Sequence, residues 1–190
     1  MTFQNDKKTF LAKLDKSKKG EIDEKIVSLL ELINNKDDYY TTSSCSGRVY
    51  LHKGRGRKNE TEWLKLSHNL IDEYFFKLDV TKLDDYKLDE SRFIWLRLEP
   101  FILHVACKSL EAANELLEKA KKIYKKSCLL SVSNKIIVEI RGSEFIEMPF
   151  YEDGKLLFSG DIKWLRELVN SKLEKVWAGV EMFEKELKML

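Results

Sequence analysis

The most unusual segment of this sequence, Ser43-Ser44-Cys45-Ser46-Gly47-Arg48, places three hydroxyls, a thiol, a glycine and an arginine next to one another. Its small side chains let backbone amides approach a bound molecule, and Gly47 can adopt a left-handed turn. Arg48 can hold a carboxylate or a phosphate through two parallel hydrogen bonds. The segment is therefore predicted to be a loop that binds a charged ligand. The alternative is a tight polar hairpin turn.

Cys45 supports a second interpretation, in which its thiol is a nucleophile. A nucleophilic thiol needs an adjacent base, and His68 and His104 are the candidates for that role. A lone cysteine is more often buried and inert. Thiol chemistry is therefore kept as an alternative to ligand binding.

Glu99 and His104 interrupt an otherwise apolar stretch, Glu99-Pro100-Phe101-Ile102-Leu103-His104-Val105. A carboxylate at a strand interruption is rarely needed for packing, whereas a histidine within a strand is more often a satisfied sheet residue. Both are candidate proton acceptors, and an unperturbed imidazole titrates near neutral pH. The three histidines show neither HxH nor HExxH spacing, so no metal site is predicted.

Positive charge is concentrated in one short loop, which holds Lys53, Arg55, Arg57 and Lys58. A second lysine cluster spans residues 119–126. The net charge is only +2, but this clustering predicts basic faces for phosphate contacts that add affinity without reading base sequence. Trp63 could stack on a base, although a strand tryptophan more often packs in the core.

The composition predicts a single, cytosolic, globular domain without membrane association. With 43% hydrophobic side chains, a chain of 190 residues can bury a core of its own. The three cysteines form no CxxC pair, which is typical of a reducing compartment. No apolar run approaches the ~18 residues of a membrane span.

Apolar and aromatic spacing predicts the elements that must position these side chains. Helical spacing covers 22–33, 70–78, 109–124 and 161–187. Strand character covers 39–42, 49–51, 63–66, 93–98, 101–106, 129–132, 136–140 and 144–148. Ser109 and Asp161 are predicted helix N-caps, the strands around Ser133-Asn134 are predicted to form a hairpin, and Pro149 is predicted to end the last strand.

Strands and helices mix without strict βαβ alternation, so the predicted class is α+β with a mixed, largely antiparallel sheet. No GxGxxG follows a strand, which argues against a Rossmann fold. Residues 1–190 are predicted to form one catalytic domain. Its long C-terminal helix, at about 161–190, is expected to pack on the rest.

Several blocks occur in an order that resembles a known family. They include Tyr40-Thr41-Thr42-Ser43-Ser44-Cys45-Ser46-Gly47-Arg48, Leu98-Glu99-Pro100-Phe101-Ile102-Leu103-His104-Val105-Ala106-Cys107, Glu139-Ile140-Arg141 and Glu147-Met148-Pro149. Together they resemble the wybutosine-synthesis tRNA methyltransferase family, the third enzyme of that pathway. The resemblance implies a non-Rossmann fold and S-adenosylmethionine as methyl donor. It also implies, as acceptor, a ring nitrogen of a tricyclic wyosine-type guanosine, such as 7-aminocarboxypropyl-demethylwyosine, at position 37 of phenylalanine tRNA.

This resemblance suggests roles for the candidate residues. The segment Ser43–Arg48 would hold the methionyl end of the donor, with Arg48 on its carboxylate. The proton acceptor would be His104, Asp23 or Glu99. Contacts to the anticodon stem-loop would come from Lys53, Arg55, Arg57, Lys58, Trp63, His68 and Arg141. The main alternative is a non-catalytic RNA-binding module that uses the same basic loop.

Overall fold

A computed structural model describes residues 2–12, 23–54, 61–79 and 92–189 and contains two compact units. The first unit comprises Met1–Ser46, Pro100–Ser143 and Lys175–Leu190, and the second comprises Gly47–Glu99 and Glu144–Glu174. That all 190 residues act as one catalytic domain stays a prediction. None of the helices in the described part of the chain has the length and apolarity of a membrane span.

Four helices and nine strands are described along the chain. The helices are α1 (Phe3–Leu11), α2 (Val27–Asn34), α3 (Leu110–Ile123) and α4 (Ile162–Leu187). The strands are β1 (Tyr39–Cys45), β2 (Arg48–Gly54), β3 (Thr61–Ser67), β4 (Phe93–Glu99), β5 (Ile102–Cys107), β6 (Cys128–Ser131), β7 (Ile136–Arg141), β8 (Ile146–Glu152) and β9 (Lys155–Leu156).

The first unit contains an antiparallel sheet with strand order β1-β5-β7-β6. Successive side chains of a strand point to opposite faces, and Leu103 and Val105 of β5 lie on the face that joins the apolar core. Residues of α2, α3 and the C-terminal part of α4 complete that core. Ile102 and His104 therefore lie on the other face, which carries the polar side chains.

The aromatic centre of this core limits what α4 can accept at Gly179. Tyr124 stacks on Phe101 with ring centroids 5.3 Å apart and meets Phe183 edge-on at 5.8 Å. A Cβ at Gly179 would lie 3.0 Å from the Tyr124 hydroxyl, which is buried and makes no hydrogen bond in the described structure. Packing therefore requires a glycine at position 179, because Tyr124 is held between two other rings and cannot easily move away from a Cβ.

We expect Gly179→Ala to lower the free energy of unfolding even though alanine is the better helix former. In a Tyr124→Phe background the obstructing oxygen is gone, and the same change should stabilise the protein by up to about 1 kcal/mol. Urea denaturation of the wild type, both single variants and the double variant measures the coupling. Equal stabilisation by alanine in both backgrounds would contradict the packing argument.

The second unit contains an antiparallel sheet with strand order β3-β2-β4-β8-β9. Strand β4 alternates regularly, with Ile94, Leu96 and Leu98 buried and the residues between them half-buried. In the part of α4 that belongs to this unit, the Asn170 side chain pairs with the backbone N–H and C=O of Ile71, both at 2.9 Å. The Asn170 side-chain amide therefore satisfies both backbone groups of Ile71, which lies outside the sheet, as a neighbouring strand would.

The predicted α+β class is confirmed, with every strand pair of the described residues antiparallel. The β6–β7 hairpin is confirmed. Both N-caps are also confirmed: the Ser109 hydroxyl accepts from Ala112 N at 3.2 Å, and the Asp161 carboxylate accepts from Lys163 N at 2.8 Å. These features depend on local chemistry.

Three predicted elements differ in the structure. The predicted helix at 70–78 is only a 3₁₀ turn, Glu73–Phe76; Ile71 and Phe76 are buried, whereas Leu70 and Tyr74 are exposed, so the apolar side chains do not form one buried helical face. Pro149 lies inside β8 rather than ending it. Proline has no N–H to donate, and β9 pairs with β8 at Tyr151 and Glu152, so on that side of β8 no strand of the described residues pairs with Pro149. The helix predicted from residue 22 begins at Val27, after a 3₁₀ turn at Glu24–Ile26.

Candidate active site

Ser43, His104 and Glu139 lie side by side on three adjacent strands of the first unit. Ser43 on β1 pairs with His104 on β5, and His104 pairs with Glu139 on β7. A register shift between Thr41 and Ser43 changes the alternation of β1. Because of that irregularity, the Ser43 side chain shares the polar face of the sheet with His104.

Hydrogen bonds connect these three side chains into a serine–histidine–glutamate triad. Ser43 Oγ lies 2.7 Å from His104 Nδ1, and His104 Nε2 lies 2.9 Å from Glu139 Oε2. His104 and Glu139 are mostly buried, at 26% and 19% side-chain exposure, whereas Ser43 is exposed. The triad therefore joins a mostly buried carboxylate to a hydroxyl at the surface.

The next row of the same sheet carries Cys45, Ile102 and Arg141, which pair across β1, β5 and β7. Cys45 is half-buried and Arg141 is exposed. Both ring nitrogens of His104 contact Ser43 and Glu139, so His104 is not placed as the base of a Cys45 nucleophile. Arg141 instead adds a positive charge beside the triad.

Asp23 holds the end of the Ser43–Arg48 segment. Its buried carboxylate accepts a hydrogen bond from the backbone N–H of Ser46 at 3.0 Å, and its own C=O accepts from Ile26 N at 3.0 Å. A carboxylate on a backbone amide makes a strong, charge-assisted hydrogen bond. This geometry positions the segment, and the role of Asp23 as proton acceptor stays a prediction.

The Ser43–Arg48 segment was predicted to be a loop, and this is wrong for most of its length. Ser43, Ser44 and Cys45 end β1, and Arg48 begins β2, so only Ser46 and Gly47 link the strands. The hairpin alternative is also wrong, because β1 and β2 belong to different sheets. Gly47 has φ 97°, a conformation that strongly favours glycine, which explains the glycine at this link.

In the second unit, Arg48 and Glu99 form a half-buried ion pair. Arg48 Nε and Nη2 lie 2.8 and 2.7 Å from Glu99 Oε2, and the Tyr50 hydroxyl donates to Glu99 Oε1 at 2.8 Å. Burial alone would raise the pKa of Glu99, but Arg48, the Tyr50 hydrogen bond and Arg97 outweigh it and hold that pKa below its ordinary value. Such a carboxylate is a weak base, so this environment disfavours the proton-acceptor role considered for Glu99.

Aromatic rings cover the Arg48 guanidinium. Its central carbon lies 4.6 Å from the Trp63 ring centroid and 5.2 Å from that of Tyr50. Trp63 is half-buried and stacks on this arginine, a cation–π arrangement that neither the core-packing nor the base-stacking interpretation included. Burial and the hydrogen bond to Glu99 raise the pKa of Tyr50, so it remains a hydroxyl donor.

The remaining predicted RNA contacts are only partly described. Lys53 is half-buried on β2, and His68 is half-buried directly after β3. Arg55, Arg57 and Lys58 lie outside the described residues. The second lysine cluster includes four exposed side chains at the end of α3, of which Lys122 pairs with Glu186 at 2.8 Å.

The lowered pKa of Glu99 predicts a pH-dependent contribution to stability. A carboxyl whose pKa is lower in the folded than in the unfolded state stabilises above its unfolded pKa and loses that effect as the pH falls through its folded pKa. The stability advantage of the wild type over Glu99→Gln should therefore be present at neutral pH and shrink below about pH 4.5. Chemical denaturation of both proteins at pH 7 and at pH 3 tests this, and a pH-independent difference would contradict it.

No role was predicted from the sequence for Glu139 or Tyr50. Glu139 is a polar residue at an alternating strand position, where a solvated side chain is the ordinary expectation, and Tyr50 was predicted only as an aromatic strand residue. The available signal was the spacing of Glu139 and Arg141 on one face of a strand that is otherwise β-branched. That spacing shows that Glu139 and Arg141 share one face of their strand, but it does not show which strand lies next to them in the sheet.

Comparison with known proteins adds independent evidence. The family model described as Methyltransferase TYW3 matches residues 5–189. The chain is 36% identical over 184 residues to the tRNA(Phe) 7-((3-amino-3-carboxypropyl)-4-demethylwyosine(37)-N(4))-methyltransferase of Methanocaldococcus jannaschii, covering 92% of this chain and 91% of that protein. It is 37% identical over 193 residues to enzyme 1 of the same description from Pyrococcus furiosus, covering 99% and 92%. The solved structure of the PH1069 protein from Pyrococcus horikoshii matches with a TM-score of 0.82 and 33% identity, over 98% of this chain and 96% of that one.

Proposed function

The chain belongs to the TYW3 methyltransferase family, and on that premise we propose that it methylates N4 of 7-aminocarboxypropyl-demethylwyosine at position 37 of phenylalanine tRNA. The observation that carries the proposal is the full-length match to relatives named for this reaction. The protein is a tRNA methyltransferase of wybutosine biosynthesis. We propose that it acts in the cytoplasm, on tRNA.

We propose S-adenosylmethionine as the methyl donor. When bound, a sulfonium donor supplies an electrophilic methyl group and needs positioning rather than covalent help. The exposed hydroxyls of Ser43 and Ser44 offer donors and acceptors for the amino acid end of such a molecule. The backbone at Ser46 is fixed by Asp23, so the segment is organised before any ligand arrives.

Arg48 remains the proposed partner of the donor carboxylate. Its guanidinium already contacts Glu99, so a second carboxylate would have to share it. An arginine carries five N–H donors, which allows two anions to be bound at once. Whether Arg48 serves the donor or only Glu99 is decided by comparing variants of the two residues.

His104 is the proposed proton acceptor. The acceptor nitrogen must lose a proton when it gains a methyl group, and a positioned imidazole is the commonest base for that step. The geometry supports His104 over Asp23 and Glu99, because those two carboxylates hold a backbone amide and an arginine. His104 instead meets a surface hydroxyl through one of its ring nitrogens.

The anticodon stem-loop is the proposed RNA ligand. Within the described residues the exposed Arg141 and the half-buried Lys53, Trp63 and His68 are the candidate contacts. Contacts to phosphates make affinity fall as salt concentration rises. A purely RNA-binding module would show this salt dependence without binding any methyl donor.

Calorimetric titration with S-adenosylmethionine, with and without an anticodon stem-loop that carries the tricyclic base, tests the proposal. We expect saturable donor binding, methyl transfer to the stem-loop, and no transfer to an unmodified stem-loop. Stem-loop binding without donor binding or transfer would favour the non-catalytic alternative.

A further inference from the structure

The hydrogen-bonded triad of Ser43, His104 and Glu139 could carry a proton from the protein surface inward, because its two ends differ in exposure. Its carboxylate end is mostly buried, with 19% of the Glu139 side chain exposed, and its hydroxyl end is exposed. We propose that Glu139 is a positioning residue, which orients the His104 ring so that Ser43 passes the proton of the substrate to it. This proposal rests on the proposed function and assigns a task to two residues beyond the histidine.

The hydrogen bonds determine which ring nitrogen carries the proton. An ionised carboxylate only accepts hydrogen bonds. The 2.9 Å contact to Glu139 therefore places the hydrogen of a neutral His104 on Nε2. Nδ1 is then a lone-pair acceptor, and the Ser43 hydroxyl donates to it at 2.7 Å.

The proton follows this direction. The N–H bond of the acceptor base breaks, and its electron pair stays on the nitrogen. That nitrogen would receive the methyl group as the methyl–sulfur bond of the donor breaks and leaves its electron pair on the sulfur, which departs as a neutral thioether. The proton passes to Ser43 Oγ, while the hydroxyl hydrogen of Ser43 passes to Nδ1 of His104. The product is an imidazolium beside the Glu139 carboxylate, which stabilises its charge, and the imidazolium later releases the proton to water.

The surroundings of the triad fit this use of the three side chains. Cys45 and Arg141 occupy the next row of the same face, and Cys128 pairs with Glu139 from β6. If Glu139 and His104 formed only a structural ion pair, no hydrogen bond to a third side chain would be needed. The additional short contact to an exposed hydroxyl connects the pair to the surface, where an RNA base can reach it.

The test compares Glu139→Gln with the wild type and with Asp38→Asn. Glutamine keeps the shape of the side chain and removes its charge. Asp38→Asn removes a carboxylate that pairs with Lys108 at 2.8 Å, just before β1 of the same unit, and is the matched control. Nitrogen NMR of the unliganded proteins reports the His104 tautomer, and steady-state methylation of the modified stem-loop reports kcat and the KM of the donor.

We expect His104 to carry its hydrogen on Nε2 in the wild type and in Asp38→Asn, and to lose that preference in Glu139→Gln, since an amide can accept or donate. The kcat of Glu139→Gln should fall on the order of 10²-fold with the KM of the donor unchanged. An unchanged tautomer and kcat, with only stability reduced, would overturn the proposal. The tautomer is measured without substrate, so it is informative even if the wild type proves to have no methyltransferase activity, an outcome that would refute the proposed function itself.

Ser43→Ala provides a second test that removes no buried group, because the Ser43 side chain is exposed. The His104 tautomer should remain as in the wild type, and kcat at saturating donor should fall at least about tenfold, whether or not the lost hydroxyl also raises the KM of the donor. A rise in that KM with kcat unchanged would assign Ser43 to donor binding alone and overturn its part in proton transfer.

Discussion

Replacement of His104 with glutamine is expected to reduce kcat for methylation of the modified stem-loop by about 10²- to 10⁴-fold, the range typical of a lost general base. The reason is that glutamine can keep hydrogen bonds to Ser43 and Glu139 but cannot take up a proton at neutral pH. Because the other described contacts of the Ser43–Arg48 segment remain, the affinity for the donor should change little. Single-turnover kinetics with saturating donor, combined with calorimetry, separate the two quantities.

Asp38→Asn is again the control, since it changes a charge in the same unit outside the triad. Its kcat should match that of the wild type. If His104→Gln retained the wild-type kcat, the proton acceptor would have to be another group, with Asp23 the next candidate. If the donor affinity collapsed and the rate at saturating donor stayed at the wild-type value, His104 would be a binding residue.

Replacement of Arg48 with alanine is expected to weaken donor binding on the order of 10²-fold, because a hydrogen bond to a charged group contributes about 1.5–3 kcal/mol. The same substitution leaves Glu99 without its nearest cation, and its carboxylate is three-quarters buried. The free energy of unfolding should therefore fall as well. Calorimetry with S-adenosylmethionine and urea denaturation measure the two effects on the same samples.

Glu99→Gln separates these two effects. It breaks the same ion pair, at 2.7 Å, but leaves the arginine in place. If Arg48 binds the donor carboxylate, Glu99→Gln should lose stability and keep or improve donor affinity. If both variants lose stability and neither changes donor affinity, Arg48 is part of the scaffold and its proposed role in donor binding is wrong.

Local sequence determined the helix caps and the alternation of single strands. Ser109 and Asp161 cap their helices because a short side chain with an acceptor oxygen satisfies nearby N–H groups, whatever packs around it. Strand β4 follows its alternating pattern, and the family motifs identified the segment at residues 43–48. These features need only neighbours within a few residues.

Local pattern was misleading where packing decided the conformation. The apolar spacing at 70–78 gives only one 3₁₀ turn, and of its side chains Ile71 and Phe76 are buried whereas Leu70 and Tyr74 are exposed. Pro149 stays in a strand because no described strand pairs with it on the β9 side of β8, a property of the sheet rather than of the local sequence. Ser43 reaches the face of His104 only through a register shift in β1.

The active-site partners were decided by tertiary structure alone. Glu139 meets His104 across 35 residues of chain, because β7 happens to lie next to β5 in one register. A register one residue away would place Glu139 on the opposite face of the sheet. The sequence by itself thus determined which side chains were available for chemistry, and strand order and register decided which of them touch.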